Sequence, residues 1–334
     1  LEQTDNNSTV NRAIGNAQFD YKMHFLPELR AILNLGFDYS TSEGVNNAPA
    51  NAAFTFRDGI GRFTDYTQDK QMQLLDFYFN YVKDLPSISS KIDATAGYSY
   101  QRFQREGTNW VRTAQGNIDG DSLRYTDYIN ENLLISFFGR LNYSLMDKYL
   151  LTFTLRNDGS SRFSEVTRWG LFPSVAFAWK INHEGFLRNY DKLTDLKLRL
   201  GWGVTGQQEI MGNYYPYLAT YQISDPTAAY QFGDQWYLTL RPNRYDKNIK
   251  WESTTTYNIG FDYGFFDNRV TGAIDAYFRE TEDLIANIPI ASGTNFSNYL
   301  TTNVGTLENS GIEFMIDVKP VVTKNITWNI GYNI

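Results

Sequence analysis

The sequence predicts an all-β fold, a segment of an antiparallel transmembrane β-barrel, and three observations carry that reading. From Gln18 to Ile334, segments of about ten residues alternate apolar and polar positions, as strands do when one face meets lipid and the other a wet lumen. Short turns and long polar loops follow one another between those segments, the asymmetry of outer-membrane barrels. No apolar run reaches the roughly eighteen residues a helical span needs. In hydrocarbon every backbone N–H and C=O needs a partner inside the protein, so a chain that crosses without helices must close a sheet on itself. Ten residues at about 3.3 Å each, tilted by about 40°, span roughly 25 Å, the height of the apolar band.

In the first hairpin Ala17, Phe19, Tyr21, Met23 and Phe25 share one face, and Gln18, Asp20, Lys22 and His24 the other. Leu26-Pro27-Glu28 reverses the chain, and Ala31, Leu33, Leu35, Phe37 and Tyr39 return. The second hairpin pairs Leu75, Phe77, Phe79 and Tyr81 with Ile92, Ala94, Ala96, Tyr98 and Tyr100 through a turn at Asp84-Leu85-Pro86. In the third, Leu133, Ile135, Phe137, Leu141 and Tyr143 turn at Met146-Asp147-Lys148 into Tyr149, Leu151, Phe153 and Leu155. Trp169, Leu171, Val175, Phe177 and Trp179 form the next outer face. Leu196, Leu198, Leu200 and Trp202 form the one after, with Lys197 and Arg199 pointing inward and one helical turn expected within 182–194. The scheme repeats at Tyr257, Ile259, Phe261 and Tyr263, at Ile274, Ala276 and Phe278, and at Ile312, Phe314, Ile316 and Val318. Trp328, Ile330 and Tyr332 bring the total to about twelve strands. No charge falls at the centre of an outer face, where Arg or Lys would cost about 2–4 kcal/mol. Tyr and Trp gather towards the ends of those faces, where rings meet headgroups.

Short connections centre near residues 27, 86, 147, 188, 267 and 322, and long ones cover roughly 41–70, 105–131, 158–168, 205–248 and 284–302. Barrels of this kind keep short turns periplasmic and long loops extracellular, so binding is expected in the long loops and on the lumen wall. A net charge of −7 disfavours nucleic acid as the main partner. The absence of cysteine removes disulfide and thiolate–metal chemistry. The chain opens on Leu-Glu-Gln-Thr-Asp and stops within a strand-like stretch, so a larger protein is expected to supply the strands that close the sheet.

Several stretches go beyond pattern: GRLNYSLMDKYLLTFTLRNDGSSRF at 139–163, WGLFPSVAFAWKI at 169–181, LKLRLGWGVTGQQEI at 196–210, IKWESTTTYNIGFDYGFFDNRVTGAIDAYFRETEDLI at 249–285 and NVGTLENSGIEFMI at 303–316. In order and wording they resemble the SusC/RagA family of TonB-dependent outer-membrane transporters; residues 1–138 match only in strand pattern. The resemblance implies a barrel of about 22 strands around an N-terminal plug. It further implies a TonB box coupled to an inner-membrane motor, a SusD-like surface lipoprotein as lid, and active import of oligosaccharides or oligopeptides. Residues 1–334 are then part of the barrel domain, with the plug and the remaining strands absent. No chemical step is implied, so neither enzyme activity nor a cofactor is expected. A passive porin or structural barrel is the rival reading, and a soluble β-rich glycan-binding module a third.

Candidate chemistry is thin. Gly201, Gly203 and Gly206 spell G-x-G-x-x-G, yet they alternate with Trp202 and Val204 on a strand, and no βαβ unit follows. Those at 201 and 203, with Gly260, thin the inward face and leave room for a plug or loop to pack. Asn157-Asp158-Gly159-Ser160-Ser161 reads as a tight turn, and Pro173 as a bulge or an open ladder. Asn117, Asp119 and Asp121 echo a calcium loop without its closing Glu. His24 and His183 are too separate for a zinc site or a triad. Glu280, Glu282 and Asp283 read as a polar rim, since neighbours on a strand point to opposite sides. The binding candidates are the aromatic residues of the 205–248 loop: Tyr214, Tyr215, Tyr217, Tyr221, Tyr230, Phe232, Trp236, Tyr237 and Tyr245. Trp110, Tyr125 and Tyr128 in an earlier loop are weaker ones. Rings with polar tips suit sugars, peptide side chains or a docking protein, and equally a rim that packs on itself.

Overall fold

The structure is a computed structural model, and it describes residues 4–52, 61–113, 124–187, 190–210, 214–224, 228–291 and 297–334. The strands in chain order are β1 (Asp5–Lys22), β2 (Leu29–Ala48), β3 (Arg62–Leu85), β4 (Ser90–Thr113), β5 (Arg124–Leu145), β6 (Tyr149–Ser160), β7 (Trp169–Lys180) and β8 (Leu193–Gln207). Short strands follow at β9 (Tyr221–Ile223), β10 (Tyr230–Phe232), β11 (Gln235–Tyr237) and β12 (Leu240–Pro242). The last are β13 (Glu252–Phe265), β14 (Val270–Glu282), β15 (Ile285–Pro289), β16 (Tyr299–Asn303), β17 (Thr306–Val322) and β18 (Thr327–Asn333). Twelve of them form one antiparallel sheet in the order β1-β2-β3-β4-β5-β6-β7-β8-β13-β14-β17-β18, so successive long strands are neighbours throughout. The other six pair as β10–β11, β9–β12 and β15–β16.

Two compact units divide the chain. The first comprises Leu1–Asp20, Ile32–Phe77 and Ser99–Ile135, and the second Tyr21–Ala31, Tyr78–Tyr98 and Ser136–Ile334. In the first, Arg12 forks onto Asp38 across β1 and β2, Ser99 Oγ donates to Asp76 at 2.6 Å, and Arg102 Nε donates to Glu131 at 2.6 Å. Arg12, Asp38, Asp76 and Ser99 occupy polar positions of the alternation, whereas Arg102 and Glu131 pair beyond the apolar stretches of their strands, at positions in phase with the outward rows.

The second unit shows how the alternation becomes two faces. Registers align Leu151, Phe177, Leu200, Ile259, Ala276 and Ile312 in one row across six strands. Tyr149, Trp179, Leu198, Phe261, Ile274 and Phe314 form a parallel row. Large apolar side chains in these rows are open: Ile259 keeps 45% of its surface, Phe261 41% and Leu200 41%. The intervening rows carry the opposite character. Ala178, Arg199, Gly260, Asp275 and Glu313 lie in register, as do Lys180, Lys197 and Asp262. Apolar rows left open, beside a face on which Lys197, Arg199, Asp262 and Asp275 shelter one another in ion pairs, have the polarity of a membrane wall.

The short turns fall where the sequence places them. Met146 and Asp147 both have φ of 54°, and Lys148 N–H donates to Leu145 O at 3.0 Å, the tight hairpin turn whose twist suits antiparallel strands. A 3₁₀ turn at Ile181–His183 supplies the expected helical turn. From its end Glu184 accepts from Tyr149 Oη at 2.6 Å, Lys148 Nζ at 3.0 Å and Trp179 Nε1 at 3.1 Å. Those three donors, the tyrosine above all, draw its carboxyl down to about 2. Tyr149 and Trp179 stack at 6.2 Å, so each ring serves the apolar rows while its polar tip holds the turn.

Loops are shorter than the hydropathy pattern suggests. β2 runs to Ala48 and β3 starts at Arg62, where a loop over 41–70 was expected; β4 and β5 likewise extend into 105–131. Pairing continues after the apolar alternation fades, because backbone hydrogen bonds do not require a greasy face. The 157–160 stretch belongs to β6, paired with Leu171, Gly170 and Trp169, and the turn begins at residue 161. Pro173 keeps its register with Leu155 and makes no bulge there, whereas the described β7–β8 ladder starts at Ser174, just past it. A missing N–H opens one side of the strand only.

Candidate functional site at the long-loop end of the sheet

The 208–251 connection is anchored by a small buried core. Phe163, Ile210 and Ile249 are fully enclosed, and Trp251 retains 9% of its surface. The Trp251 ring lies 5.3 Å from Phe163 and 5.4 Å from Phe172, and its Nε1 donates to Arg168 O at 2.8 Å. Phe172 in turn occupies the space a Cβ would need at Gly206, coming within 2.1 Å of it. The third glycine of the G-x-G-x-x-G string is thus explained by a ring lying across a strand. Arg162, nearly buried, faces the Tyr214 ring at 5.2 Å and meets Glu209 at 3.1 Å. Thr167 Oγ1 donates to Ile249 O at 2.7 Å, tying the 161–168 turn to the descending leg of the loop.

Beyond that base the loop ends in two open ribbons. Tyr221, Ile223, Leu240 and Pro242 share one face of the β9–β12 pair. On β10–β11, Tyr230 pairs with Tyr237 and Phe232 with Gln235, while Trp236 sits on the other face opposite Gln231. Trp236 and Phe232 are about two-thirds exposed, and Phe232 contacts Tyr237 edge-on at 5.9 Å.

The sequence-derived candidates therefore part into three groups. Tyr214, Tyr215 and Tyr217 are half-buried in the loop base, where Pro216 O accepts from Asp246 N–H at 2.9 Å. Tyr221, Tyr230, Trp236 and Tyr237 lie on the exposed ribbons. Trp110, in the other unit, lines a hollow of about 590 Å³ with Tyr66, Glu43, Asp65 and Thr67. Asn117, Asp119 and Asp121 lie outside the described residues. Asp283 pairs with Lys250 at 2.7 Å, while Glu280 stands in register with Glu308.

Along the inward rows Arg199 bridges two strands. Its Nε donates to Asp262 at 2.9 Å and its Nη2 to Asp275 at 2.8 Å, with Lys197 on Asp262 at 2.6 Å. The guanidinium crosses directly over Gly260, where a Cβ would stand 2.7 Å from Nη2 and 2.4 Å from the Asp275 carboxylate. Gly260 is there for this bridge. Gly201 is the open position, with nothing nearer than 3.9 Å. Sequence reasoning missed the Phe163–Trp251 core; its one signal was a tryptophan and an isoleucine set in an otherwise polar rim just before β13.

Residues 2–334 match the family model described as TonB dependent receptor-like, beta-barrel. The chain is 45% identical over its whole length to TonB-dependent receptor SusC of Bacteroides thetaiotaomicron, covering 33% of that relative. It is 34% identical to TonB-dependent receptor P3 of Formosa agariphila over 78% of this chain and 26% of the relative. The chain thus spans a third or less of the length of these curated relatives. Among solved structures, the RagAB peptide importer in its closed-closed state aligns with a TM-score of 0.84 at 20% identity, over 100% of this chain and 36% of that one.

Proposed function

The chain belongs to the TonB-dependent receptor-like β-barrel family, and on that premise we propose that it is barrel wall of a SusC-like importer of oligosaccharides or oligopeptides in the outer membrane. The family is one of receptors and transporters, not of enzymes. The observation that carries the reading is the 45% identity to a SusC receptor over the whole of this chain. In this reading a plug and further strands of the same protein complete a barrel of about 22 strands. TonB pulls the plug, and a SusD-like lipoprotein closes over the long loops. The exposed ribbons bearing Tyr221, Tyr230, Trp236 and Tyr237 are the lid or cargo contacts, since aromatic anchors in the open are what interfaces bury. Tyr214, half-buried against Arg162, is a support for them.

The test is purification of the full-length protein from outer membranes, followed by identification of co-purifying lipoprotein and bound ligand. Trp236→Ala and Tyr237→Ala together are expected to weaken lipoprotein or cargo binding by at least about tenfold with barrel assembly unchanged. Uptake that persists without TonB, with no lipoprotein bound, would establish a porin instead.

A further inference from the structure

Segment 244–252 is the leg of the long loop that descends into β13, and side chains hold it from both flanks. On one side stand the bonds from Thr167 to Ile249 O and from Trp251 to Arg168 O, at 2.7 and 2.8 Å. On the other, Asn303 at the end of β16 accepts from Lys250 N–H at 2.8 Å through Oδ1. Its Nδ2 donates to Lys250 O at 3.0 Å and to Asp283 O at 2.7 Å. A primary amide joined to both the N–H and the C=O of one residue reproduces the two-bond exchange of an antiparallel bridge. Around this joint Lys250 pairs with Asp283, Thr302 donates to Asp246, and Glu252 Oε2 accepts from Ile285 N–H at 2.9 Å. The sheet itself leaves these connections separate: β15 and β16 pair only with each other among the described residues, and β13 begins only at Glu252.

We propose that Asn303 is a positioning residue that locks the β15–β16 hairpin to the long loop. Those two connections and the 161–168 turn then move as one body, from which the aromatic ribbons project. Ribbons held this way lose less conformational freedom on binding than free loops would. That consequence rests on the docking role proposed above; the joint itself does not, and it can be measured without any partner.

Spin labels at Lys247→Cys and Asn287→Cys, both exposed, report the joint in the full-length protein in outer-membrane vesicles. The parent is expected to give one narrow distance distribution and Asn303→Ala a broad one. Asn303→Asp keeps the acceptor for Lys250 N–H and loses both donated bonds, so its distribution is expected to fall between. The pair Glu165→Cys and Lys247→Cys is expected to stay narrow in Asn303→Ala, because Thr167 and Trp251 make that contact. SDS-resistant migration verifies barrel assembly in each variant; should Asn303→Ala fail it, the parent and Asn303→Asp distributions decide. A broad distribution in the parent, or one as narrow in the variants as in the parent, overturns the proposal. Normal distributions with no partner binding would sink the docking role and leave the joint standing.

Discussion

Replacing Trp251 by alanine should free the long loop while sparing the sheet. A tryptophan side chain buries roughly 200 Å², which at about 25 cal/mol per Å² is worth about 5 kcal/mol. The unfolded loop is not fully extended, so about 3–5 kcal/mol is the expected loss, in the range seen for Trp→Ala in cores. The lost indole hydrogen bond adds little, because Arg168 O also accepts from Ser160 N–H at 3.1 Å. None of the ladder between β8, β13 and β14 passes through Trp251, so the cost falls on local opening of the loop base. Proteolysis of a fast-opening segment follows the open population, so tryptic cleavage at Arg244 and Lys247 should accelerate by about two to four orders of magnitude. Trp251→Phe keeps most of the buried area and should lose about 1 kcal/mol. The reasoning fails if cleavage in the loop is unchanged, or if the whole barrel melts earlier while the loop stays protected.

Removing Arg199 as alanine leaves Asp275, already beside Glu313 in register, without its cation, an expected loss of about 1–3 kcal/mol allowing for its partial exposure; urea unfolding of the barrel measures it, and Arg199→Lys, too short a fork for both carboxylates, should recover only part. Glu184 has a carboxyl lowered from 4.5 to about 2 in the folded state, so its stabilising effect is complete above about pH 4.5 and disappears as the pH falls towards 2. The slope of stability against pH across that window should become shallower in Glu184→Gln, the remainder belonging to Glu28, whose carboxyl is also lowered, and to the paired carboxylates Asp38 and Asp262, and an unchanged slope would assign it wholly to such groups. Phe261→Arg should cost about 2–4 kcal/mol in a bilayer, whereas Asn258→Arg, on the opposite face, should change stability by under about 0.5 kcal/mol. Equal effects would mean that the lipid side is misassigned.

Strand number, strand order and the two faces were legible because each is a local property. Alternation with period two decides which of Phe261 and Asp262 faces outward before any neighbour is known. Short turns were equally legible, since Met146-Asp147 between strand patterns leaves the chain little choice. Loop length was less so: polar strands such as the ends of β2 and β3 carry no hydrophobic rhythm.

By itself the sequence determined a sheet with one greasy and one wet side, interrupted by long aromatic loops, because side-chain direction along an extended strand follows from residue parity alone. Only the tertiary structure decided that Gly260 makes way for Arg199, that Trp251 closes a buried core with Phe163, and that Tyr214 supports while Trp236 is displayed. Those outcomes depend on register between strands and on contacts between residues some ninety positions apart or fewer, and no local rhythm encodes which ring will lie across which strand.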